Sequence, residues 1–297
     1  MKIIFQHSRA QKREGGLTLV EMMVATSLLV VMMLGLTAMF NQTQRAFRSG
    51  LKQVDVFEGG RAVMDMIARD IEQITATKSL DHISVYSGLQ ATNSLDQSFP
   101  IGASRANVLH KAFLLDYSSQ WAALGYRVLN ANDMDAYDPL PYGTLYRFST
   151  NFTDLPTQPN YYYNLLATNL PSRLTNGYLT RVADGVVHFR LRFYDTAGKP
   201  IPYYDDDTGE PIIPTPPPPP LVVATGLPNE AHVAFYNDAL PSMVEVELGI
   251  LEPQTLKQAE SLPNTGPVPT PRADYLERQA GKVHIFRQQI PIRNAPR

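Results

Sequence analysis

Residues 17–40 form a run of 24 positions in which Glu21 is the only charged side chain. No other stretch constrains the fold as strongly. As a helix rising about 1.5 Å per residue, the run is about 36 Å long, enough to cross a hydrocarbon core of about 30 Å. Thr18, Thr26, Ser27, Gly35 and Thr37 interrupt it. Small and hydroxylated side chains of this kind satisfy themselves against the helix backbone or let helices approach closely. Lys2, Arg9, Lys12 and Arg13 all precede the run, which predicts a cytoplasmic N-terminal end and an exported remainder.

An ordinary secretory signal carries an apolar core of about 7–15 residues followed by an A-x-A-like site. This core is longer, and the nearest such site, Leu36-Thr37-Ala38, lies inside it. A plain membrane anchor explains the hydrophobicity but leaves two features as accidents: the pair Gly15-Gly16 at the end of the basic leader, and Glu21. A carboxylate at the bilayer centre costs roughly 2.5–3.5 kcal/mol on insertion scales, and less near an end. Glu21 stands one turn into the span, within reach of the interface.

The stretch Arg13-Glu14-Gly15-Gly16-Leu17-Thr18-Leu19-Val20-Glu21 closely resembles the class III signal of type IV pilins and type II secretion pseudopilins. The resemblance implies that a dedicated prepilin peptidase cuts after Gly16 and methylates the new N-terminus, Leu17, where the family usually carries Phe. Residues 1–16 are then a leader and residues 17–40 a transmembrane helix. Glu21 becomes the fifth mature residue, which in the family neutralises the N-terminal amine of a neighbouring subunit during assembly. In the processed chain the Leu17 amine lies four residues from Glu21, on the same helix face.

Helical patterning continues over residues 41–77 as an amphipathic extension. Phe40, Phe47, Leu51 and Val54 form one apolar stripe. Phe57, Met64, Ile67, Ile71 and Ile74 form a second, on nearly the opposite side, because each residue advances about 100°. Glu58, Arg61, Asp65, Arg69 and Glu72 form a ladder of alternating charge where the first stripe would have continued. Gly59-Gly60 falls where the stripe changes sides. Paired glycines weaken a helix, so this point predicts a bend or break, or two segments with different partners. The first stripe would meet neighbouring subunits or lipid headgroups, and the second would cover the protein's own sheet.

Beyond residue 77 the helical period fades, and residues 78–297 read as a β-rich periplasmic head. Twenty-four prolines and fifteen tyrosines fit a loop-rich β portion. Strand candidates lie at 83–86, 108–115, 124–129 and 144–148. Residues 186–194 alternate most clearly, with Val187, Phe189, Leu191 and Phe193 on one face and His188, Arg190, Arg192 and Tyr194 on the other. A turn over 195–200 predicts a hairpin return at 201–204. Residues 243–250 alternate as well, which would set Glu245 and Glu247 across from Arg190 and Arg192 if the two strands are neighbours. A short helix at 272–280 and a strand at 283–290 complete the chain. The reading is an α+β fold: a long N-terminal helix packed on a mainly antiparallel sheet with long loops, as in pilins. The order of the last strands resembles the larger J-type minor pseudopilins and the W-type minor pilins.

Two acidic loops bear on metal chemistry. Residues 132–138 have acidic spacing, but no glycine or closing glutamate completes a calcium loop, and a solvated turn is the simpler reading. Asp205, Asp206, Asp207 and Glu210 form a second calcium candidate without a specific motif. Calcium is the one cofactor considered. The proline run at 214–220, broken by Thr215, predicts an extended spacer. The absence of cysteine excludes disulfides and thiolate zinc sites, and a net charge of −2 gives no reason to expect nucleic acid. Gly102-Ala103-Ser104-Arg105-Ala106 half matches a nucleophile elbow without its strand–turn–helix context. His82, His110, His188, His232 and His284 are scattered singly. No enzymatic activity is expected. The expected partners are prepilin peptidase, other minor and major pseudopilins or pilins, and inner-membrane lipid. The leading expectation is a minor pseudopilin of a type II secretion system, near the tip of a short periplasmic assembly. Its rivals are a W-type minor pilin that primes a pilus, and an adhesive head touching its target through residues 160–163 or the proline run.

Overall fold

The computed structural model describes residues 18–89, 95–99, 102, 104–129, 142–158, 160–167, 177–201, 222–223, 232–264 and 270–295. The chain divides into two compact units, 1–51 and 52–297, and helix α1 (Leu19–Glu72) contributes to both. In the first unit, every residue of known exposure from 18 to 51 is exposed, including Phe40, Phe47 and Leu51 of the first stripe. This apolar helix is long enough to cross a membrane by length and composition.

In the second unit the same helix is a core element. Val56, Val63, Met64, Ile67, Ala68 and Ile71 are buried, as is Ile74 just beyond the helix. They pack against sheet residues such as Leu114, Tyr126, Phe189 and Val246. Each fully buried Ile or Leu contributes roughly 1.5–3 kcal/mol over its exposed state. The second stripe is thus where its periodicity predicts, except at Phe57. That ring remains half exposed and meets His284 and Phe286 edge-on, at centroid distances of 4.8 and 6.0 Å. Glu58, Arg61, Asp65 and Arg69 face solvent.

Two expectations for α1 are corrected. The helix runs through Gly59-Gly60 without a break. Gly60 is explained by packing, because a Cβ there would collide with the ring of Phe286, whereas the space beside Gly59 is open. The helix also ends at Glu72, five residues before position 77. Its β-branched continuation joins the sheet: Ile74 bridges Asp116, and the Thr75 N–H donates to the Leu115 carbonyl at 2.9 Å.

The main sheet contains β1 (Ile83–Leu89), β4 (His110–Tyr117), β5 (Trp121–Leu129), β6 (Gly143–Phe152), β7 (Leu179–Tyr194), β8 (Pro200–Ile201), β9 (Val222–Val223), β10 (His232–Tyr236), β11 (Met243–Leu251) and β12 (Val283–Pro291). Its order is β12-β11-β7-β6-β5-β4-β1-β10-β9, with β8 paired to β7. A separate hairpin joins β2 (Leu95–Ser98) to β3 (Ser104–Asn107). Every ladder between these strands is antiparallel. The further helices described are α2 (Tyr161–Ala167), α3 (Pro253–Ser261) and α4 (Pro271–Glu277). Leu166 of α2 closes a second core with Tyr86, Phe113, Leu129 and Phe148. The layout is α+β and pilin-like.

The alternation of β7 holds for Phe189, Leu191 and Phe193, which face α1, but not for Val187. A register irregularity places Val186 opposite Ile250 and skips Val187. An inserted residue flips side-chain parity, so Val187 packs in a third core with Leu95, Leu251 and Leu276. The turn after β7 forms as expected. Asp195 Oδ1 accepts the N–H groups of Ala197 and Lys199 at 2.9 and 2.8 Å, and Gly198 takes φ +75°, which glycine adopts without strain. Ile201 pairs with Phe193. The rest of the expected return, 202–204, lies outside the described residues.

Candidate functional site

The first turn of α1 is a reciprocal cap. Thr18 Oγ1 accepts the Glu21 N–H at 3.3 Å, and the Glu21 carboxylate accepts the Thr18 N–H at 2.8 Å and its hydroxyl at 3.0 Å. Thr18-x-x-Glu21 is a capping box, which satisfies amide groups that a helix start leaves unbonded. The resemblance gave Glu21 an inter-subunit role. The box shows a second role within the chain and brings in Thr18, whose signal was its spacing of three from a glutamate before an apolar run. The hydroxyls farther along bond back to carbonyls one turn earlier: Thr26 to Met22 at 2.9 Å, Ser27 to Val24 at 2.8 Å and Thr37 to Met33 at 2.8 Å. The span therefore carries no unsatisfied hydroxyl among these three. Gly16 and Leu17 lie outside the described residues.

In the second unit, a buried polar joint holds α1 to the sheet. Asp70 Oδ2 accepts the Tyr126 hydroxyl at 2.5 Å and Arg147 Nε at 2.7 Å, and Oδ1 accepts Arg147 Nη2 at 3.0 Å. Burial, and then the adjacent Asp70 carboxylate, push the Tyr126 phenol far above its ordinary range. The hydrogen bonds to Asp70 raise Arg147, so the guanidinium stays charged. Asp70 stands three residues after Ile67 and four before Ile74, inside the buried stripe, and that position marks it among its charged neighbours. Below it, Arg293 pairs with Glu72, and Asn294 Nδ2 donates to the Ile74 carbonyl at 3.0 Å.

On the opposite face of the sheet, the expected strand pairing is present. Glu245 lies opposite Arg192, and Glu247 opposite Arg190. Glu245 also accepts Arg287 Nη2 at 2.8 Å and Gln289 Nε2 at 3.0 Å. Burial would raise this carboxyl, but the hydrogen bonds from Arg287 and Gln289 outweigh it and hold Glu245 below its ordinary value. Glu247 Oε2 contacts His188 Nε2 at 3.3 Å, while His188 Nδ1 accepts the Val108 N–H at 3.1 Å. Burial lowers His188. Burial also lowers His110 to about 3, helped by the nearby Arg190 and His188; its ring meets the Ser87 hydroxyl at 3.2 Å. These histidines are structural: each bonds within the fold.

A groove of about 740 Å³ opens beside Val56, Gly59 and Val63 of α1, bounded by Arg181, Asp184 and α3. The Arg181–Asp184 ion pair at its rim measures 2.6 Å. Among the described residues no group of three or more His, Asp or Glu is placed to hold a metal ion. The calcium candidates Asp205, Asp206, Asp207 and Glu210, the loop at 132–138 and the proline run at 214–220 all lie outside the described residues. The tyrosines at 161–163 belong to α2, and Tyr162 stacks on Phe152 at 3.9 Å.

No curated protein matches the chain. Residues 11–37 match the family model described as the prokaryotic N-terminal methylation motif, which, with the apolar helix that it opens, supports a class III signal and a protein of the type IV pilin or pseudopilin kind.

Proposed function

We propose that the chain is a minor pseudopilin of a type II secretion system, which assembles through its N-terminal helix into a periplasmic pseudopilus near the tip. The observation that carries this reading is the methylation motif at the start of a helix whose first part is apolar and exposed and whose second part fills the core of a head. Prepilin peptidase cuts after Gly16 and methylates Leu17. Residues 17–40 anchor the protein in the inner membrane, with the head in the periplasm. Glu21 neutralises the N-terminal amine of a neighbouring subunit. To do so it exchanges the bonds it makes to Thr18 for a cationic partner, which adds the attraction between two full opposite charges.

The head supports a minor rather than a repeating role: β2–β3, α3 and α4 enlarge it well beyond one helix and one sheet. Glu21 argues against the tip-most K-type subunit, where this glutamate is typically absent. The test is a deletion strain. Loss of secreted enzymes with piliation and twitching intact supports the secretion role. Lost piliation with normal secretion overturns it in favour of a minor pilin that primes pilus assembly.

A further inference from the structure

The main sheet ends at β12, with no strand described beyond it. The register of β12 on β11 is flush over nine residues, from Met243 opposite Pro291 to Leu251 opposite Val283. The same ladder extends past both ends, where the Ile292 N–H donates to Ser242 at 3.1 Å and the Glu252 N–H to Lys282 at 3.0 Å. In an antiparallel pair, bonded and non-bonded positions alternate. Even-numbered residues of β12 therefore aim their backbone groups at β11. Ile285, Arg287 and Gln289 aim theirs at the open side.

Natural edge strands are normally protected by outward charges, bulges or prolines. Here the proline comes only at the end, at Pro291, and the ladder shows no bulge. Arg287 turns back over the sheet, reaching Glu245 at 2.8 Å and Glu247 at 3.5 Å. Apolar groups flank the edge on both faces: Ile285 is 41 % exposed on one, and Phe57 of α1 is 50 % exposed on the other, beside Phe286.

We propose that the open edge of β12 takes up an extended strand from a neighbouring pilin-type subunit. The inference rests on the assembly role above. The incoming strand bonds to the backbone of Ile285, Arg287 and Gln289, sets an apolar side chain against Phe57 and Phe286, and presents a carboxylate to Arg287. Charge selects a different chain rather than a second copy. Three arginines, Arg190, Arg192 and Arg287, already face only two glutamates, Glu245 and Glu247, and a second β12 would add cations to that seam.

The test mixes the purified full-length chain, in detergent micelles, with each of the other full-length pilin-type subunits of its own cells and follows amide hydrogen exchange. With one of them, exchange at 285, 287 and 289 slows by about tenfold or more. Ile285→Pro removes an outward N–H without touching the β11 ladder, and Ile285→Lys adds an edge charge. Each weakens that complex about tenfold while leaving thermal unfolding unchanged. A complex that forms with these amides unprotected overturns the edge inference and leaves the assembly role standing. Protection that appears on concentrating the chain alone overturns the stated partner in favour of a second copy. No complex with any subunit overturns both.

Discussion

Asp70 and Gly60 decide how α1 sits on the sheet. Replacing Asp70 with Ala strands the Arg147 guanidinium and the Tyr126 hydroxyl in a mostly buried site. Breaking such a pair by removing one partner costs about 3 kcal/mol, to be measured by denaturant unfolding of Asp70→Ala. A double-mutant cycle with Arg147→Ala should recover part of that loss. The two adjacent glycines should behave oppositely. Gly59→Ala meets open space and should gain up to about 1 kcal/mol from helix propensity. Gly60→Ala meets the Phe286 ring and should lose about 1 kcal/mol or more, a loss that Phe286→Ala relieves. Equal responses at both positions would contradict the packing role of Gly60.

His110 sets a pH response. Its folded value of about 3 lies below the ordinary 6.5, so the unfolded chain binds the proton first. The stability from the neutral ring is fully present above pH 6.5 and is lost as pH falls toward 3. Thermal unfolding of the full chain should therefore drop between pH 6.5 and 4.5, before most carboxylates protonate. His110→Gln should flatten that part of the curve.

At the scale of elements, α1 joins two different environments within one helix. Every residue of known exposure from 18 to 51 is exposed, whereas the buried positions between Val56 and Ile71 line the main core. A soluble fragment of residues 52–297 should fold cooperatively, while one starting at residue 78 lacks this core face and should fail to give a sharp unfolding transition. A cooperative transition from the shorter fragment would contradict the placing of α1 in the core. Much of this was legible in the sequence. The change of apolar stripe is visible in periodicity alone, and the alternating charges on 186–194 and 243–250 marked two strands that face each other in register. The irregularity at Val187 was not legible, because an inserted residue in a run of valines leaves no compositional trace. Strands β1 and β5 were harder to read than their role warrants. They are central and buried on both faces, which erases the polar alternation. The nine-residue α3 had only Pro253 at its start as a signal.

At the scale of the whole molecule, the signal at the start of α1 and the head that α1 supports act together in assembly. Glu21→Ala should insert and be processed normally but assemble poorly, which sedimentation of sheared filaments or of cross-linked subunits would measure; normal assembly would contradict charge neutralisation. Gly16→Leu should leave an unprocessed precursor in the membrane. Processing at Gly16 distinguishes a prepilin signal from a secretory signal or a plain anchor. Intact-mass and N-terminal fragment spectrometry of the protein purified from its own cells tests it most directly. The expected chain begins at N-methylated Leu17. A chain that still begins at Met1, or one cut near Leu36-Thr37-Ala38, would contradict it.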